Sequence, residues 1–259
     1  MTRLTVAEVE PMKLYFDEAG NTGTDLLNKD QPIAALASTS LDTATCLALI
    51  SPLLKQGQPE AKYSKLKGSF KGQKALLDLF SSGHLARENV KVMVAHKRYS
   101  VVCHLVDKLI EPCADECGMD LTDGDAQIAY ANLLFYAGPH MLPKGNWDAL
   151  LEAFCAALHR PGEQTFEVLR IELLKAVNYA LAHKGISEPL MGLVFAPYRL
   201  EDYLGSLVET EAFDPMPNMF ASLINYWMDE EPGWLNVTHD ESKPMKSSEA
   251  HLRVLMTPL

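Results

Sequence analysis

Residues 14–23 read LYFDEAGNTG, a short apolar run that ends in two adjacent carboxylates and a glycine-bearing turn. The apolar, β-prone residues before the acids predict a strand over residues 13–16. Neighbouring side chains on a strand point to opposite faces of the sheet, so Asp17 and Glu18 cannot face one site while the strand continues. We expect Asp17 on the same face as Tyr15, and Glu18 on the opposite face.

The same pattern occurs again late in the sequence, where the strand-like run WLNVTH at residues 234–239 is followed by Asp240 and Glu241. Aspartates that converge from separate strands can hold a hard cation such as Mg²⁺ or Mn²⁺, which prefers oxygen ligands. We therefore expect Asp17 and Asp240 to share a metal site if the late strand joins the early sheet. The alternative is local: Asp17 starts an Asx-type turn and Asp240 caps a following helix.

Two further strands and two short helices are predicted near the first acidic strand. PIAALASTS at residues 32–40 and VKVMVAH at residues 90–96 have the length and composition of strands. The polar turn before the first of these favours an antiparallel pair with the opening strand. Helices are expected at residues 43–56, with Pro52 inside or at the edge, and at residues 75–82.

From residue 99 to about residue 230, apolar residues recur at spacings of three and four, which is typical of helices. We therefore predict an α/β fold with a mixed sheet and a large helical insertion at about residues 99–230. The insertion is expected within a single domain of residues 12–259, which follows a flexible tail over residues 1–11.

Composition indicates a globular chain without a membrane span, because 47% of the 259 residues are apolar and 22% are charged. No apolar run approaches the roughly 20 residues that a spanning helix needs, and the N-terminus does not resemble a signal peptide. Five irregularly spaced cysteines argue against a disulfide framework and favour the cytoplasm. Four residues could gather for zinc but lack the usual tight pairs: Cys103, His104, Cys113 and Cys117.

Lysines are concentrated in AKYSKLKGSFKGQK, residues 61–74, although the whole chain has a net charge of −11. Tyr63 and Phe70 alternate with these lysines, a pattern that suits contact with phosphates and bases. The alternative is an ordinary solvated loop and helix start. The acidic total does not argue against a nuclease, because bound metal ions reverse the local charge.

Taken in order, these motifs resemble a large bacterial family of RNase H-like proteins of poorly defined function. In that family the N-terminal strand ends in Asp-Glu-Ser-Gly or a near variant, and residues 17–20 match it with alanine in place of serine. Residues 62–67 resemble the family's middle motif, and residues 239–242 resemble its second acidic strand. The resemblance covers about residues 13–97 and 234–243.

The resemblance implies an RNase H-like mixed sheet and a metal-dependent nuclease of the kind often linked to mobile elements or phage defence. It implies Asp17 and Asp240 in the metal positions and Lys65 near the phosphate of a nucleic-acid substrate. We accordingly expect phosphodiester hydrolysis with Mg²⁺ or Mn²⁺, in which Glu18 and Glu241 assist and Glu241 is a further metal ligand.

The family pattern continues with another strand and an acidic helix, for which few residues remain after Glu241. We expect the site to be completed by Glu18 or Glu241, by a partner protein or a second copy, or to be incomplete. The main alternative function is therefore a catalytically degenerate RNase H-like module that acts as a binding or assembly subunit.

Two other enzyme classes fit the first motif less well. A phosphatase of the haloacid dehalogenase type needs a second aspartate two residues after the first, where this chain has Ala19. A sugar-kinase or actin-like nucleotide site needs Asp-x-Gly, whereas Gly20 comes one residue too late.

Overall fold

A computed structural model describes residues 10–20, 25–54, 60–183, 185–205 and 214–240. In this part of the chain, four strands form one sheet in the order β3-β2-β1-β4. The strands are β1 (Met12–Ala19), β2 (Ile33–Thr39), β3 (Val90–His96) and β4 (Leu235–His239). The predicted α/β class and the four predicted strands are confirmed.

The helices of the described residues are α1 (Thr43–Ile50), α2 (Tyr63–Leu66), α3 (Phe70–Phe80), α4 (Lys97–Leu105), α5 (Glu111–Glu116), α6 (Ala126–Met141), α7 (Asn146–His159), α8 (Glu163–Ala182), α9 (Leu200–Leu204) and α10 (Pro215–Glu230). The last seven lie between β3 and β4, which confirms the predicted helical segment. α1 stops short of the predicted residue 56, because Pro52 has no amide hydrogen and the chain continues as a 3₁₀ turn. Within the described residues, no helix is both long and apolar enough to cross a membrane.

β1 and β2 pair antiparallel, with Tyr15 opposite Thr39 and Ala19 opposite Ala35. The predicted antiparallel pair is confirmed. The prediction that β1 stops at Phe16 is wrong, because pairing with β2 continues to Ala19. The first acidic doublet therefore lies inside the strand.

The chain divides into two compact units. The first contains the described residues within 1–19, 35–93 and 220–241, which hold most of the sheet. The second contains those within 20–34, 94–219 and 242–259, and it is mainly helical.

The core of the first unit lies between one face of the sheet and α10. Leu14 and Phe16 are buried on that face, and the ring centroid of Phe16 is 4.9 Å from that of Phe220. The buried indole of Trp227 donates a hydrogen bond from Nε1 to Ser38 Oγ at 2.9 Å. This bond satisfies two polar groups that burial would otherwise leave without water.

A buried cation strengthens the contact between β3 and α10. The Lys91 ammonium lies 4.1 Å from the ring centroid of Trp227 and forms an ion pair with Glu230. Hydrogen bonds from Lys91 and then Arg87 hold the pKa of the Glu230 carboxyl below its ordinary value. Burial of the lysine is tolerated because its charge has these partners.

The second unit has its own core, in which apolar residues of α7 and α8 have no exposed surface. These include Leu150 and Leu169. At its surface Arg98 donates to Asp148 at 2.5 Å, and this hydrogen bond lowers the pKa of the Asp148 carboxyl. The helical segment therefore carries enough apolar burial to form a core without the sheet.

Trp227→Phe should lower the free energy of unfolding by about 2 kcal/mol, because the variant loses the hydrogen bond to Ser38 and leaves a gap beside Lys91. Urea denaturation measures the change. Trp234→Phe is the matched control, because Trp234 is 71% exposed and its replacement should change stability by less than about 0.5 kcal/mol. Equal effects of the two substitutions would contradict this account of the core.

Candidate functional site

The two acidic doublets lie on neighbouring strands that run in the same direction. β1 and β4 are parallel, and the register pairs Met12 with Leu235 and Phe16 with His239. The paired residues end at Phe16 and His239, so Asp17 and Asp240 each follow directly on the last paired residue of their strand. Because neighbouring strands are about 4.8 Å apart, both aspartates follow the same end of the β1–β4 pair.

Alternation along β1 separates Asp17 from Glu18. Asp17 is exposed and Glu18 is half-buried, as the strand pattern predicts. On β4, Thr238 is exposed and His239 is half-buried, and the exposed Asp240 follows. Asp17 therefore lies on the face opposite α10, and Asp240 is exposed directly after the end of β4.

The Asp17 carboxylate makes a local hydrogen bond, because Oδ1 accepts from the Glu18 amide at 2.9 Å. This bond resembles the turn role considered as the local alternative, yet it uses one of the two carboxylate oxygens. Within the described residues, this is the hydrogen bond that the exposed Asp17 side chain makes.

Glu18 and His239 lie on the other face, towards α10. Glu18 Oε2 and His239 Nε2 are both buried and have no hydrogen-bond partner within the described residues. The His239 ring packs edge-on against Phe220 at 5.9 Å between centroids, and its Nδ1 lies against the carbonyl oxygen of Asp240. A carboxylate oxygen without a hydrogen-bond partner is costly to bury, so a hydrogen-bond donor or cation at Glu18 would lower that cost.

A cavity of about 330 Å³ opens on the Asp17 face of the sheet. Tyr15 and Asp17 line it from β1, Leu49 from α1 and Leu79 from α3. Its wall is otherwise mostly apolar. The sequence analysis did not identify this cavity, although the placement of Asp17 on the face of Tyr15 was the signal that could have located its floor.

The lysine stretch forms α2 and the start of α3, and all five of its lysines are exposed. Lys62 pairs with Glu60 at 3.1 Å. Within the described part of the chain, no hydrogen bond or ion pair joins Lys65 to Asp17 or Asp240. The structure thus gives Lys65 an exposed position without direct contact to the aspartates.

The remaining site prediction falls on Glu241, which lies outside the described residues. Among the residues that are described, no group of three or more His, Cys, Asp or Glu side chains is arranged to hold a metal ion. His96, which the sequence placed at the end of a strand, accepts from the Tyr99 amide at 3.3 Å and so caps α4.

Three comparisons with known proteins found no match. No family model matches the chain. No curated protein and no solved structure matches it either.

The turn after the acidic strand depends on Gly20, which has a φ of +88°. A Cβ atom at this position would lie 2.3 Å from the carbonyl oxygen of Ile33. Gly20→Ala should therefore cost about 3 kcal/mol of stability, from both the left-handed backbone and the clash. Gly83→Ala is the control, since Gly83 has a φ of +73° with open space around it and should cost about 1 kcal/mol. Equal costs in urea denaturation would show that the close approach to Ile33 has no effect.

Proposed function

We propose that this protein is a divalent-metal-dependent nuclease with an RNase H-like core. The parallel register of β1 and β4 supports this proposal most directly, since it pairs Phe16 with His239, the residues immediately before Asp17 and Asp240. The resemblance requires such an arrangement: a mixed sheet in which the second acidic strand lies beside the first. The helices between β3 and β4 correspond to the insertion in that scheme.

The donor set suits Mg²⁺ or Mn²⁺, because both prefer carboxylate oxygens. Asp17 and Asp240 would hold the ion, and Glu241 would be a further ligand. Such an ion, when bound, supplies positive charge against the phosphate oxygens and makes its bound water more acidic. Glu18 was expected to assist, but it points to the other face of the sheet, so a protein partner or second copy would complete the site if these carboxylates do not suffice.

Two acidic side chains on adjacent strands repel each other unless a cation lies between them. The position of Asp17 and Asp240 at the same end of the β1–β4 pair therefore favours a metal over two separate local roles. The exposure of Asp17 leaves this position open to a large substrate. A nucleic acid could reach such an exposed carboxylate with its phosphodiester groups, because its phosphates lie on the outside of the polymer.

The lysine stretch gives the proposed substrate a cationic contact in a chain of net charge −11. Lys65, Lys67, Lys71 and Lys74 are exposed and make no ion pair within the described residues. They would bind phosphates, with Lys65 nearest to the scissile group. A role in phage defence or mobile-element biology is part of the proposal and rests on the resemblance.

Asp17→Asn should reduce metal-dependent cleavage at least about 100-fold while leaving the fold intact, because the amide is a poorer cation ligand. Labelled DNA and RNA oligonucleotides with Mg²⁺, Mn²⁺ or EDTA provide the assay, and circular dichroism checks the fold. Asp229→Asn is the matched control, since Asp229 is exposed near the end of α10.

Full activity of Asp17→Asn would contradict the assignment of Asp17 as a metal ligand. A wild-type chain that neither cleaves nucleic acid nor binds Mg²⁺ or Mn²⁺ in calorimetry would instead favour the degenerate binding or assembly subunit.

Replacing Lys62, Lys65 and Lys67 together with alanine should weaken nucleic-acid binding and reduce the slope of log affinity against log salt by about 2. The reason is that the variant contacts fewer phosphates and so releases fewer counterions on binding. Fluorescence anisotropy at several salt concentrations measures both quantities. A triple variant at the exposed lysines 29, 144 and 175 removes the same charge elsewhere and should leave the slope nearly unchanged. The same slope for wild type and the first variant would make the stretch an ordinary solvated surface.

A further inference from the structure

α3 presents an apolar surface to solvent. Phe70 is 84% exposed, Leu77 is 67% exposed and Phe80 is 69% exposed. Spacings of seven and three residues place them along one side of the helix, and we call this set the α3 stripe. Large apolar side chains exposed together on a soluble protein mark a surface that contacts something else.

Lysines lie beside the α3 stripe. Lys67 caps the end of α2, three residues before Phe70, and Lys71 and Lys74 are exposed on α3. Tyr63 on α2 is 64% exposed, and the Lys67 ammonium lies 5.6 Å from its ring centroid. The sequence has no aspartate or glutamate between residues 60 and 78, so rings and positive charges alternate over this surface.

The opposite side of α3 faces the cavity that contains Asp17. Leu79 lines that cavity together with Tyr15 and Asp17. Phe80, the last member of the α3 stripe, is the next residue after Leu79. One helix therefore supplies both the exposed rings and a wall of the space at the candidate site.

We propose that the α3 stripe, with Tyr63 and the flanking lysines, binds single-stranded nucleic acid. Bases stack on the rings of Tyr63 and Phe70, and phosphates contact Lys67, Lys71 and Lys74. This inference rests on the proposed nuclease function, because it names the form of substrate that reaches Asp17. The exposed rings favour a single strand over a duplex. A duplex keeps its base faces stacked inside, so it would contact the lysines and not the rings.

Two other occupants fit this surface less well. An amphipathic helix from a partner protein needs a groove, whereas a phenylalanine with 84% exposure stands out from the surface. A second copy of the chain would bring the same lysines against these lysines in a two-fold interface, and like charges would oppose that contact.

The test measures binding by fluorescence anisotropy in EDTA, where metal-dependent cleavage is suppressed. The probes are a single-stranded DNA, a single-stranded RNA, a duplex of the same DNA sequence, and the single-stranded DNA with abasic sites. The unmodified chain should bind at least one single-stranded probe about tenfold or more tightly than the duplex, and removal of bases should weaken binding by a similar factor. The two single-stranded arms distinguish DNA from RNA.

Phe70→Ala and Tyr63→Ala should each weaken single-strand binding about tenfold without changing the salt slope, because they remove stacking and leave the phosphate contacts. Phe70→Trp should retain binding, because tryptophan also offers a ring for stacking. Tyr136→Ala and Tyr198→Ala are matched controls, since these tyrosines are 74% and 71% exposed outside the α3 stripe and should not affect binding.

Equal affinity for duplex and single strand, or for intact and abasic probes, overturns the inference without reference to any variant. Binding of an acidic amphipathic peptide in preference to every oligonucleotide overturns it, as does dimerisation in sedimentation that Phe70→Ala abolishes while oligonucleotide binding persists. Base-dependent binding by a chain that never cleaves would keep this inference and reject the nuclease. Metal-dependent cleavage without preference for single strands would support the nuclease and reject this inference.

Discussion

The parallel pairing of β1 with β4 is the constraint on which the candidate site depends. Residues 20–234 separate the two strands in sequence, and closing so long a connection has an entropic cost that grows slowly with length. Packing offsets this cost at the point of contact. Phe16 lies opposite His239 in the register, and Phe220 contacts both rings. The aromatic cluster therefore fixes the register at the residues immediately before the two aspartates.

Strand alternation then divides each acidic doublet between two environments. Asp17 faces solvent and the edge of a cavity, whereas Glu18 points towards α10 with a buried oxygen. An aspartate from each strand can share one ligand, but Asp17 and Glu18 cannot do so while β1 remains extended. Pairing with β2 keeps the strand extended as far as Ala19, immediately before Gly20. The doublet is thus two separate features, with one carboxylate on each side of the sheet.

Local patterns predicted much of this arrangement. Period-two alternation identified the faces of Asp17 and Glu18, and valine-rich composition identified β3. The end of β1 was missed because it depends on pairing with β2, in which Ala19 lies opposite Ala35. Pairing partners are set by tertiary packing, which the strand's own sequence does not encode.

Local sequence patterns also did not predict the contacts between distant segments. Ser38, Lys91 and Trp227 come from three separate regions of the chain, and nothing in their local sequences links them. The α3 stripe shows the same limit in another form. Phe70, Leu77 and Phe80 have the spacing of buried helical residues, and only their exposure distinguishes a contact surface from a core face.

The charge distribution adds a final constraint on any anionic substrate. A chain of net charge −11 repels a polyanion at long range, and two aspartates at the site add to that repulsion. At physiological salt the screening length is about 8 Å, so distant acids contribute little while lysines in direct contact retain their effect. Stacking does not depend on charge and is screened least of all. A surface that combines rings with lysines therefore overcomes the acidic background better than lysines alone, which is why the exposed aromatic side chains matter as much as the charges beside them.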